Sequence, residues 1–146
     1  MSRSINRSEA KIDYNTIDLQ VVDTLYHVAA SLKGHRSVAE ASNVSAWDNS
    51  QGAWYLNRVK VEPEGKGIGS RLLRKLQETL LDHKGDVKDN FRAACGQTDG
   101  RTDRFDILIV EPGGYGSDPK RLNKFYKRNG FVEDAAYPGA LVWRRP

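Results

Sequence analysis

At 146 residues the chain has room for one hydrophobic core and not for two. Its 38% apolar and 29% charged content fits a globular protein, and no apolar run approaches the roughly 20 residues of a membrane helix, so no membrane partner is expected. The formal net charge of +4 suits an anionic ligand as well as it suits nucleic acid, so charge alone excludes neither.

Residues 1–14 read as a loosely attached arm, and the polar stretch 1–15 has no apolar h-region, so no secretory signal is expected. Ile17, Leu19 and Val21 alternate, as do Tyr26, Val28, Ala30 and Leu32, which predicts two strands. Lys33-Gly34-His35 makes a turn. Residues 38–44 then form an antiparallel partner, although Ala39 and Ala41 are weak strand formers. A loop over 47–52, with Asp48-Asn49-Ser50 inside it, leads into a strand over 53–61 that completes a meander. In that strand Trp54 and Leu56 are even-numbered, whereas Val59 and Val61 are odd, so a strict period of two would put the pairs on opposite faces. One extra residue near Asn57–Arg58, a β-bulge, restores a common face; the alternative is a strand buried on both sides.

The turn Glu62-Pro63-Glu64-Gly65-Lys66-Gly67-Ile68-Gly69 follows, and a helix begins near Gly67. Ile68, Leu72, Leu76 and Leu80 recur every four residues with Leu73 beside them, and Gly85 is the expected stop. A glycine-rich turn at a helix N-terminus offers unbonded N–H groups and the positive end of the helix dipole. Gly67 and Gly69 carry no Cβ, so a pyrophosphate can approach the main chain. The turn is neither a dinucleotide fingerprint, since Ser70 stands at the last small position, nor a P-loop, since no Gly-Lys-Ser/Thr follows.

Residues 86–104 are polar and read as loop, with a short helical turn around 91–94. Ile107-Leu108-Ile109-Val110 is a continuous apolar run, as in a buried parallel strand, which makes the segment from Val61 to Ile107 a βαβ crossover. Pro112-Gly113-Gly114 ends it. Asp118-Pro119 starts a helix as N-cap and N1, Leu122, Phe125 and Tyr126 face one side, and Asn129-Gly130 stop it. Residues 131–132 and 141–143 form a last hairpin around Pro138-Gly139. Cys95 is the only cysteine, so no intrachain disulfide is possible and a reducing cytoplasm is the expected location. His27, His35 and His83 show no metal-ligand spacing, so no metal is expected.

Meander, helix, buried strand, helix and hairpin, in that order, resemble the GNAT family of N-acetyltransferases. Two segments carry the resemblance. VKVEPEGKGIGSRLL (59–73) looks like the family's strand-to-helix acetyl-CoA segment with its Q/R-x-x-G-x-G/A signature, and FYKRNGF (125–131) looks like the helix end that carries the family's tyrosine. The first strand lacks the two helices that usually follow it. Small phage-encoded acetyltransferases that disable CRISPR effectors share that trimming and a short turn before the glycines. The chain departs from the signature at Glu64, which takes the Gln/Arg position, and its turn is about two residues shorter than in most relatives.

The resemblance implies a single α/β (α+β) domain over 1–146 with a mixed central sheet. It also implies acetyl-CoA as co-substrate and direct attack by a primary amine. Val59, Lys60 and Val61 match the strand that hydrogen-bonds the pantetheine arm, and Gly65, Lys66, Gly67, Ile68, Gly69 and Ser70 match the pyrophosphate turn. Lys66 stands in for the missing signature cation. Tyr126 matches the general acid that protonates the CoA sulfur. For the base, Glu62 and Glu40 are the candidates, acting through water. The basic run Lys120, Arg121, Lys124, Lys127 and Arg128 reads as a solvated helix face that meets a CoA phosphate in some members. The expected acceptor is a protein lysine or N-terminus, with a small amine such as an aminoglycoside or polyamine next; a homodimer is an open option. The rival from another class is a non-catalytic basic module for nucleic acid or a host protein, using pI ≈ 9.2 and exposed Trp47 and Trp54.

Overall fold

The computed structural model describes residues 12–24, 26–43, 53–83, 105–112 and 118–146. The remainder of the arm, the loop over 47–52 with Trp47, the Gly85 stop, residues 86–104 with Cys95, and Gly113-Gly114 lie outside the described residues. In chain order the elements are β1 (Leu19–Asp23), β2 (His27–Leu32), β3 (Val38–Ser42), β4 (Ala53–Lys60), α1 (Ile68–Asp82), β5 (Ile107–Val110), α2 (Pro119–Arg128), β6 (Val132–Glu133) and β7 (Leu141–Arg144). The strands make one 7-stranded sheet in the order β1-β2-β3-β4-β5-β7-β6, with β4 and β5 the parallel pair. This is the mixed α+β architecture expected: an antiparallel meander, a βαβ crossover, then a helix and a hairpin. β1 passes to β2 through residues 24–26, which leaves no room for helices between them.

The bulge is where the odd–even break puts it. Glu40 lies opposite Arg58 and Ala41 opposite Leu56, so Asn57 is the extra residue of β4. Trp54 and Leu56 before it, and Val59 and Val61 after it, all join the same core. Asn57 Nδ2 donates to Ser42 Oγ at 2.7 Å and steadies the bulge. β4 pairs with β5 only from Ala53 to Tyr55. Beyond that point its β5 side has no strand among the described residues.

α1 lies across β1 to β4. Leu72, Leu73, Leu76 and Leu80 are all 0% exposed and Ile68 is 2%, so the period of four is the buried stripe. Each such side chain contributes about 2 kcal/mol on burial. Ala39 and Ala41, poor strand formers in isolation, are fully buried beneath this helix. Here burial overrides intrinsic propensity. The helix stop differs from the sequence expectation: His83, not Gly85, is the C-cap, with its N–H on Leu80 O. His83 Nδ1 also meets Asp23 Oδ1 at 2.7 Å, and Arg145 donates twice to Leu81 O at 2.7 and 3.1 Å. Arg145 thus satisfies a carbonyl of a helix end that carries no basic residue in its own last turn. Trp54, expected to be exposed, is 0% exposed and packs edge-on to His83 at 4.8 Å. On the sheet's other face Ala53, Ile107, Ile109, Ala140 and Val142 form a smaller core with Tyr55 and Tyr137.

Candidate functional site

The turn between β4 and α1 is held from behind. Ser37, 0% exposed, donates through Oγ to Glu62 O at 3.0 Å and accepts the Glu62 N–H at 2.8 Å. The Glu62–Pro63 bond is cis. Gly65 (φ 78°) and Gly67 (φ 76°) take the left-handed conformation that side chains resist, and nothing lies within 4 Å of a Cβ built on either. The glycines are therefore open to a ligand. Gly67 is the N-cap of α1 without a side-chain cap bond, and the first turn holds no acidic residue. The first intrahelical bond runs from Arg71 N–H to Gly67 O, which leaves the amides before it as donors for an anion.

Gly69 has another job. A Cβ there would sit 3.1 Å from both Phe125 Cζ and Val61 Cγ2. The missing side chain lets α2 pack against the start of α1, so the space it leaves is filled by Phe125 and Val61. Asn129 adds to this junction by donating to Phe125 O (2.8 Å) and Ser70 Oγ (3.3 Å), while its own carbonyl takes Gln77 Nε2 (2.9 Å).

A cleft of about 650 Å³ opens between these elements. Val59 of β4 and Val61 just past its end, then Glu64, Gly65 and Gly67 of the turn, form one wall with Ile68, Gly69 and Ser70 of α1. Asp118, Arg121, Leu122, Phe125, Tyr126 and Arg128 form the other. Of the residues expected to bind the cofactor, Val59, Val61, Gly65, Gly67, Ile68, Gly69 and Ser70 share this cleft with Tyr126, whereas Lys60 and Lys66 do not line it. The cations in its wall are Arg121 and Arg128 of α2, in place of the expected Lys66.

Tyr126 is 6% exposed, with its ring edge-on to Phe125 at 5.2 Å and Phe131 at 5.5 Å. Desolvation raises its pKa above the usual tyrosine value, so the phenol keeps its proton at neutral pH. Glu62 lies outside the cleft wall, and its carboxylate reaches Lys60 Nζ at 3.9 Å. Glu40 alternates with the buried Ala39 and Ala41, so it projects from the face away from α1, where it meets His27 at 3.2 Å and Arg58 at 3.8 Å. Glu64 lines the cleft and pairs with Arg121 at 3.2 Å.

Nothing in the sequence marks Ser37 or Asn129 as part of the site, and Arg121 and Arg128 lie on the solvated helix face expected of them while also lining the cleft. Their helical spacing with Leu122 and Phe125 was the available signal, because 121, 125 and 128 fall on one stripe.

The site is thus a glycine turn with open amides and a buried phenol on one cleft of a mixed sheet. No protein-family model matches the chain, and no curated protein matches its sequence. The solved structures similar to the chain include the following two. The anti-CRISPR protein AcrVA5 shares 16% identity over 81% of this chain and 98% of its own, with a TM-score of 0.45. A putative GNAT-family acetyltransferase from Desulfovibrio desulfuricans shares 21% identity over 82% of this chain and 66% of its own, with a TM-score of 0.43.

Proposed function

We propose that the chain is a cytoplasmic, acetyl-CoA-dependent N-acetyltransferase acting on a primary amine by direct attack. One observation carries this reading: the open, uncapped amides after Gly67 and the buried Tyr126 line the same cleft as Val59 of the half-unpaired strand β4 and Val61 just past its end. The residues fit the co-substrate. Glycines with vacant space at their Cβ positions and an uncapped helix N-terminus suit a diphosphate, and unpaired strand main chain suits the amides of pantetheine. When bound, acetyl-CoA supplies an acetyl group activated as a thioester.

Val59, Lys60 and Val61 hold the arm through their main chain, and Gly65 to Ser70 hold the diphosphate. Tyr126 holds the proton that the departing thiolate needs. Its apolar surroundings keep that proton in place until negative charge develops beside it. Glu62 or Glu40 takes the proton from the amine through water. Glu62 stands at the end of β4, and Glu40 stands beside the bulge on the face away from α1.

The acceptor is a protein lysine or N-terminus. The short β1–β2 connection in place of helices supports this, because no helix between those strands stands in the way of a large partner. A small amine is the second choice. The rival binding-module reading loses one of its two tryptophans, since Trp54 is buried. Incubating the protein with acetyl-CoA and candidate peptides, proteins and polyamines, then looking for the acetyl mass increment, tests the proposal. No acetylated acceptor and no stabilisation by acetyl-CoA would sink it.

A further inference from the structure

We propose that Glu64 and Arg121 form a charge clasp at the mouth of the cleft, which a phosphate-bearing ligand opens by taking Arg121 away from Glu64. The inference rests on the acetyl-CoA reading for the ligand's identity. Both residues line the cleft, and Arg121 Nη2 stands 3.2 Å from Glu64 Oε2, so the pair joins the turn after β4 to the first turns of α2.

Glu64 is the residue that looks wrong for a phosphate site. Its carboxylate sits just before Gly65 and Gly67, on the wall where anions are expected. It does not cap α1, whose N-terminus has no side-chain partner; it is neutralised by Arg121 instead. The two side chains are each 69% exposed, so the pair is solvated, weak and quick to exchange. A phosphate carries more charge than a carboxylate and matches the guanidinium fork, so it displaces Glu64. Glu64 thereby keeps Arg121 turned to the cleft mouth before binding and competes for it afterwards, which lowers affinity and speeds release.

The test is a double-mutant cycle read by titration calorimetry on the full chain, with CoA and separately with inorganic pyrophosphate, a probe lacking adenosine and pantetheine. Glu64→Gln is expected to tighten both ligands about three- to fivefold, the range of an exposed ion pair. Arg121→Gln is expected to weaken both by about tenfold, as for a lost charge-assisted hydrogen bond. In the Arg121→Gln background the gain from Glu64→Gln disappears. An equal gain in both backgrounds overturns the clasp, because Glu64 would then act on the phosphate directly; no gain in either overturns it too. If the wild type binds pyrophosphate and follows the cycle but ignores CoA, the clasp stands and the acetyl-CoA reading is lost. If it binds neither, both are lost.

Discussion

Both helices turn their N-termini toward one cleft, and they end in opposite ways. α2 begins at Asp118, whose carboxylate accepts the Lys120 N–H at 3.0 Å, with Pro119 in the first turn. α1 begins at Gly67 in a left-handed conformation, with no side-chain cap and no acidic residue in its first turn. The first arrangement contributes about 1 kcal/mol to folding. The second forgoes that contribution and leaves donors free in the cleft wall. The contrast separates an end closed by its own side chain from an end left uncapped on the cleft.

The largest expected effect comes from closing the open end. Gly67→Asp places a carboxylate against the anion site, and CoA affinity should fall about a hundredfold by calorimetry while circular dichroism stays native. Retained affinity would mean that the α1 terminus is not the phosphate site. Tyr126→Phe should lower kcat by about a hundredfold and leave CoA affinity within about twofold; unchanged turnover would remove the phenol from the mechanism.

The Tyr126 pKa also gives a sign for stability. Burial raises the folded value above the unfolded one, so its favourable contribution is complete below the usual pKa of about 10 and is lost as pH rises through the folded value. Unfolding midpoints of the wild type should therefore fall more steeply above that pH than those of Tyr126→Phe. Equal slopes would argue against a desolvated hydroxyl.

Gly69→Val tests the junction between the helices. Its methyl groups must displace Phe125 or Val61, and a loss of about 2 kcal/mol is expected in urea unfolding. A stable variant with weakened CoA binding would return Gly69 to the role first expected of it. The smallest effect belongs to the closed end: Asp118→Ala should cost about 1 kcal/mol of stability without weakening CoA binding.

Much of this was legible along the chain because the relevant forces are local. The period of four in α1 is set by helical geometry, Asp118-Pro119 is a cap chemistry, and the parity break between Leu56 and Val59 announces a bulge. Gly65 and Gly67 stand where φ is positive, which a turn's own covalent geometry demands. What escaped was set by neighbours far along the chain. Trp54 looked like an exposed aromatic until His83 and α1 covered it. Gly69 looked like its companions until Phe125 filled its missing side chain. Arg121 and Arg128 are solvated, as their helix face reads, but one helix cannot reveal that this face also borders a cleft.

By itself the amino-acid order determined the strands, the two helices, their starts and the glycine turn, since each follows from periodicity, backbone freedom or capping within a few residues. Tertiary structure alone decided which charges face the cleft, that Glu64 is answered by Arg121, and that the open turn and Tyr126 share one wall-to-wall space. Those outcomes depend on how β4, α1 and α2 pack together. Packing is a property of surfaces brought into contact from remote parts of the chain.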